Sequence, residues 1–427
     1  MHSFAFELST EASLLASAVH RRARALPLTF AFALLSFCTT ISPSAVFGQG
    51  EDAGSDRILV RAKHLYAANG QKVGPGEVFI SGGKIRFVGP AIDVSSPVTI
   101  IEVDSLIPGI VDAYSSLGLS GGTSEVSREI TPEFDTYSAV DWESRDFLEA
   151  VEDGVTTAQI IPATESVFSG LACIVKTAGD SMGRTITSSG TAVLAVSSDP
   201  TSRNRARSRP DGIYMRQPTN RMGVVWIIRS SMNRIRSGGT VDGADPMSTD
   251  LLKEILNGKR KSLAVSRTDF DIRSALDLGD EFAFKPVIYG GDEVYRILDE
   301  FKKRDGQVVY TALGRSAASS RGSEGTALRW NVPGKLIEAN VPFCLAGEAL
   351  LDQARFACRF GLSPDQALAA ITLRPAEMLG LSDRIGSIAV EKDADLVALN
   401  GDPLQPTSGI EWTMVSGKIY GNDKSKQ

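Results

Sequence analysis

Histidine is nearly absent from this chain. There are 3 in 427 residues, at His2, His20 and His64. A Ser-His-Asp triad needs an imidazole between nucleophile and carboxylate, so the body of the chain after residue 64 cannot build one. Cysteine is scarce too, with 4 residues at Cys38, Cys173, Cys344 and Cys358. None forms a CxxC pair, so neither a cysteine zinc site nor a dithiol redox motif is written here. Single buried thiols are the simpler reading of Cys173, Cys344 and Cys358, and one disulfide among them stays open. No long Lys/Arg run is present and the formal charge is −6, which leaves no electrostatic footprint for nucleic acid. The GxSxG string occurs at 118–122 and 179–183, but with no histidine after residue 64 neither can be completed as a Ser-His-Asp triad. Gly290-Gly291 lacks a GxGxxG frame and reads as a strand-end turn rather than a phosphate cradle.

What is present begins with a leader. A basic cluster, His20-Arg21-Arg22-Ala23-Arg24, precedes the apolar run ALPLTFAFALLSFCTTI at 25–41. Small residues follow, and Val46-Phe47-Gly48 fits a cleavage site, so residues 1–48 read as a secretory signal. The expected location is therefore periplasmic or extracellular. The alternative is an uncleaved anchor over 25–45, since that run approaches the roughly 20 residues that span a bilayer.

Periodicity then divides the rest. From Arg57, short alternating runs split by Gly and Asn turns predict β-hairpins. After Pro108, helical stretches alternate with short apolar runs. SRDFLEAVEDG, STDLLKEILNG, DIRSALDLGDEF, EVYRILDEFKKRDG and SPDQALAAITLRPAEMLG read as helices. VTTAQIIPA, KSLAVSR, KPVIYGG, QVVYTALG and VPFCLAG read as buried strands between them. Repeated β-then-α units predict an α/β fold, a (β/α)8 TIM-type barrel over 108–385. The C-terminal text returns to β, so the flanks 57–107 and 386–422 are expected to pair as one composite β-sandwich. Arg-, Ser- and Pro-rich residues 200–222 read as a surface excursion.

Three stretches carry a family resemblance: Ile107-Pro108-Gly109-Ile110-Val111-Asp112-Ala113, Gly154-Val155-Thr156-Thr157, and ITLRPAEMLGLSDRIGSIAVEKDADLVALNGDP at 371–403. In these the chain resembles the amidohydrolase superfamily, especially imidazolonepropionase-like members. The resemblance spans about residues 57–422. It implies hydrolysis of C–N bonds by one or two divalent metals, held by a HisXHis pair on the first strand, one histidine on each of two later strands, and an aspartate on the last.

At those places this sequence holds Tyr114 and Ser116, then Val265 with Arg267 two residues on, then Tyr289 and Gly290, then Glu348. Only the last carboxylate survives in kind. Imidazole and carboxylate ligands are what zinc requires, so the expectation is no metal and no cofactor. An oxygen-only site using Glu348 and Asp112 is the weaker alternative. Asp112, Tyr114, Ser116, Arg267, Tyr289 and Glu348 are candidate pocket residues, with Glu348 the candidate catalytic group. Lys176 is read as a snorkelling structural lysine.

Three readings follow. The first is an exported relative that has lost metal-dependent hydrolysis and binds a small-molecule ligand or a partner, either as a homodimer or beside an active homologue. The second is an active hydrolase of amides or cyclic amides with a non-standard site. The third is a structural scaffold, which predicts a filled barrel mouth.

Overall fold

A computed structural model describes residues 57–67, 72–93, 97–120, 125, 127–180, 183–201, 217–241, 245–311, 313 and 329–421. The leader, 1–48, lies outside the described residues. The chain opens with β1 (Arg57–Tyr66), β2 (Lys72–Ser81), β3 (Lys84–Gly89) and β4 (Thr99–Pro108). Next come β5 (Ile110–Ser115), α1 (Arg145–Glu152), β6 (Val155–Ile160), β7 (Phe168–Leu171), β8 (Cys173–Lys176), β9 (Thr185–Thr187) and β10 (Ala192–Ala195). Strands and helices then alternate: α2 (Arg221–Arg236), α3 (Pro246–Leu256), β11 (Ser262–Ser266), α4 (Asp269–Phe282), β12 (Pro286–Gly290), α5 (Leu298–Lys303) and β13 (Gln307–Tyr310). The last stretch holds α6 (Val332–Glu338), β14 (Phe343–Leu345), α7 (Leu350–Arg359), α8 (Pro364–Ile371), α9 (Leu373–Leu379), β15 (Leu396–Leu399), β16 (Ile410–Val415) and β17 (Lys418–Gly421).

Both flanks join one seven-stranded sheet, ordered β17-β16-β15-β4-β1-β2-β3. The seam is the antiparallel pair β4–β15, with Leu396 opposite Pro108 and Leu399 opposite Ser105. Its apolar core draws on both ends of the chain, Val60, Val78, Ile85 and Leu106 meeting Ile388, Leu396 and Met414. His64 lies in this sheet, paired in register with Ser105, remote from the mouth described below.

The expected closed ring of eight strands is not formed. Hydrogen bonding divides the parallel strands into β5-β6 and β10-β11-β12-β13-β14. Two antiparallel strands take the edges that would join these sets: β8 pairs with β6, and β7 pairs with β10. At the other opening, the Gly347 N–H donates to the Asp112 carboxylate at 3.0 Å, so a side chain, not a ladder, ties the end of β14 to β5. The inward side chains of both sets still meet in one apolar cluster containing Ala113, Ile161, Val193, Leu263, Val265, Val309 and Cys344.

Local chemistry explains two departures from the expected helices. The segment at 364–379 breaks at Thr372 (φ −127°, ψ −80°). Pro375 lacks an N–H, and its ring would strike the carbonyl of Ile371, the last residue of α8. The segment from Glu293 splits into a 3-10 turn (Val294–Arg296) and α5, although Val294, Ile297 and Phe301 keep their apolar spacing and stay buried. The helix α2 was not expected. Its text Val224-Val225-Trp226-Ile227-Ile228 is apolar on every side and carries no helical period.

Lys176 is a correction. It does not snorkel: only 3 % of it is exposed. Its ammonium is ion-paired with Asp395 and lies 3.1 Å from Asp393. Asp395 also accepts from the Ser416 N–H at 2.9 Å. The closing Asp393-Ala394-Asp395 thus clamps β8 to the C-terminal strands. The cysteine question also resolves: Cys173, Cys344 and Cys358 are all free thiols, so no disulfide joins them, and Cys358 is only half-buried.

Candidate functional site

Strand ends bring the six candidate residues together. Asp112, Tyr114 and Ser116 come from β5 and the turn after it, Arg267 follows β11, Tyr289 closes on β12, and Glu348 follows β14. All six line one cavity of about 540 Å³. A filled mouth, the expectation of a pure scaffold, is not found.

Val265 is not at the cavity surface. It pairs in register with Tyr289 and packs, fully buried, into the apolar interior. Two residues on, the same alternation carries Arg267 up to the mouth. Its Nη1 lies 2.7 Å from the Asp199 carboxylate, whose other oxygen accepts from the Thr164 hydroxyl at 2.9 Å. Gly290 and Gly291 make the turn above β12 with φ of +92° and +63°, as a strand-end turn requires. A Cβ on Gly291 would fall 2.5 Å from the Val308 side chain.

The sequence resemblance leads one to expect histidine at the places of the two tyrosines. They converge, as ligands of one metal would, but they touch each other: the Tyr114 and Tyr289 rings stack face to face, centroids 3.3 Å apart and planes 11° from parallel. Burial pushes both phenols above their ordinary titration range, so they stay protonated at neutral pH.

Asp112 sits at the base of the cavity, 6 % exposed. One oxygen accepts from the N–H groups of Tyr114 and Gly347, each at 3.0 Å. Burial pushes its carboxyl up to about 7, with those hydrogen bonds pulling the other way. Glu348 and Ser116, by contrast, are exposed at the rim. The opposite wall carries Asp146, Glu149 and Asp153, and Asp292 lies beside Arg267. The first three were not anticipated, although their spacing of three and four was legible as one helix face. Nothing in the sequence marks Asp199 as the partner of Arg267, 68 positions away.

These donors do not fit zinc. A protonated phenol is a poor ligand, and the Asp112 oxygen already holds two N–H groups. Among the described residues no three His, Cys, Asp or Glu side chains converge closely enough to hold a metal ion. The oxygen-only alternative therefore has no ligand set there.

Residues 284–420 match the model of the amidohydrolase family. That match covers less than half of the chain. The chain is similar to the amidohydrolase TasK of Hapsidospora irregularis, with 25 % identity over 375 residues, covering 77 % of this chain and 38 % of that protein. The chain thus spans well under half the length of that relative. Among solved structures, the amidohydrolase of Thermotoga maritima MSB8 superposes with a TM-score of 0.75 at 24 % identity, covering 85 % of this chain and 99 % of that one. The A. niger ochratoxinase gives 0.53 at 16 %, covering 86 % and 96 %. The solved structures share the α/β fold with this chain. They leave the activity to the residues at the mouth.

Proposed function

We propose that this chain is an exported superfamily member that has given up metal-dependent hydrolysis and binds a small molecule at the mouth of an opened (β/α)8 barrel. The stacked Tyr114–Tyr289 pair carries the reading. Two histidine positions of the family pattern meet in space, and both are filled by buried, protonated phenols. A cavity of about 540 Å³ lies within the usual range for small-molecule sites. Export is supported by the basic cluster, apolar run and small-residue break before residue 49. An anchor over 25–45 is the alternative arrangement. Self-association, or pairing with an active homologue, is the partner reading that goes with it.

The test is metal analysis of residues 49–427 after dialysis against zinc, with turnover assays on amides, cyclic imides and hydantoins. The expected result is far less than one metal per chain and no turnover. About one tightly held zinc per chain with measurable turnover overturns the proposal.

A second reading is favoured by Asp112. A carboxyl that titrates near 7 in a cavity is poised for proton transfer at neutral pH. It supports a C–N hydrolase that works without a metal. Glu348 stands at the family's aspartate position. This reading requires turnover in the wild-type chain that Asp112→Asn or Glu348→Gln removes.

A further inference from the structure

Readily oxidised side chains are rare at the mouth. Among the described residues lining the cavity there is no cysteine, methionine or tryptophan, which leaves Tyr114 and Tyr289. Their ring centroids lie 3.3 Å apart, with planes 11° from parallel. Aromatic pairs ordinarily settle at about 4.5–7 Å. The two hydroxyls interact with each other, so the rings point the same way and the carbons ortho to each hydroxyl overlie. Cys344 packs in the same apolar cluster. It is fully buried and burial pushes its thiol up, so it presents no thiolate to an oxidant.

We infer that Tyr114 and Tyr289 form an oxidative cross-linking site, joined as dityrosine by a diffusible one-electron oxidant that enters through the mouth. Each phenol loses one electron to the oxidant and its hydroxyl proton to solvent. Two such events leave two phenoxyl radicals, with unpaired density on the ortho carbons. One ortho carbon of each ring joins the other in a C–C bond. The hydrogen on each bonded carbon then moves, through solvent, to the oxygen of its own ring, and both rings regain aromaticity. The protein has lost two electrons and two protons, and two oxidant molecules have each gained one electron. Free phenoxyl radicals must first find each other. In the stack the partner is already at contact, which makes coupling an intramolecular step.

The place of the pair in the fold gives the bond a consequence. Tyr114 belongs to β5 and Tyr289 to β12, and these strands lie in different sheets. A dityrosine between them staples the two strand sets of the opened barrel where no ladder joins them. The inference uses the tyrosine pair alone and stands apart from the ligand-binding reading. Zinc content and turnover bear on that reading only.

Persulfate photolysis tests it, because each persulfate ion yields two sulfate radical anions and each of these takes one electron. The purified protein is oxidised at rising dose until the intact mass changes, and the monomer fraction is then mapped by peptide. The expected product has lost two hydrogens, shows dityrosine fluorescence, and joins the peptide carrying Tyr114 to the peptide carrying Tyr289. Tyr114→Phe and Tyr289→Phe keep the ring and remove the hydroxyl, and each should lower the dityrosine yield at least about tenfold. The cross-linked fraction should also unfold at higher urea concentration, since the bond closes a long loop in the unfolded chain. Oxidised protein without the 114–289 link, or with dityrosine mainly between other tyrosines, overturns the inference. So does a yield that survives either phenylalanine variant. An unshifted urea midpoint overturns the staple.

Discussion

Asp112→Asn is the most informative single change, because the burial of this carboxyl fixes the sign of the effect. Folded, the carboxyl titrates at about 7; unfolded, it returns to 3.8. The folded chain therefore prefers the protonated form. Below pH 3.8 both states carry the proton and there is no cost. As pH rises toward 7 the unfolded chain ionises and the folded chain resists, so stability falls. Above 7 the loss levels off at about 4 kcal/mol, since each pH unit of displacement is worth about 1.4 kcal/mol. Asparagine keeps an oxygen to accept from the Tyr114 and Gly347 N–H groups and cannot ionise. The variant should therefore be more stable than wild type by about 2 kcal/mol at pH 5 and by about 4 kcal/mol at pH 8. Urea unfolding of both proteins, followed through the four tryptophans, measures the gap, and the other titrating groups cancel between them. A gap that stays below about 1 kcal/mol at pH 8, or that narrows with rising pH, refutes the buried-carboxyl argument.

Other expectations are as direct. Lys176→Met leaves Asp395 buried without its counter-charge, while Asp393 keeps Lys84 and Arg384, and should cost about 3 kcal/mol in urea unfolding; a loss under about 1 kcal/mol contradicts the clamp. Tyr114→His/Ser116→His/Tyr289→His restores three imidazoles to places where the superfamily pattern expects them. That variant should retain zinc after dialysis where the parent does not, with circular dichroism confirming the fold; a folded variant without zinc means the strand ends no longer aim at a common point. Burial raises the Cys173 thiol to about 12 and pushes Cys344 up further, while Cys358 is half-buried. A thiol reagent at pH 8 should label Cys358 of residues 49–427 first, and peptide mapping that finds Cys344 labelled first contradicts the packing. Gly291→Ala combines a left-handed φ with a Cβ 2.5 Å from Val308, and should lower the unfolding midpoint by the equivalent of at least about 1 kcal/mol.

The alternating elements were legible because each announces itself locally. In α1, Ser144 caps the start, Phe147, Ala150 and Val151 face inward, and Gly154 takes the left-handed turn that ends it. What stayed hidden depends on partners far away in the sequence. Whether β6 continues into β10 or turns back to β8 is a choice between edges. The text VTTAQI suits either, being buried on both faces. Ring closure is a property of that choice and has no local signal. Lys176 shows the same limit from another side. A lysine after an apolar strand ordinarily reaches for water, and only the approach of Asp395, 219 positions on, makes burial the better solution.

The site was legible as a set of positions and opaque as a set of contacts. Strand periodicity puts Asp112, Tyr114, Arg267, Tyr289 and Glu348 at strand ends, and strand ends in such folds converge. Convergence alone does not say what the side chains do on meeting. Two histidines at Tyr114 and Tyr289 would be held apart by a shared metal, each offering a lone pair to the same point. Two phenols have no such third party, so the rings collapse onto one another and the shared point disappears.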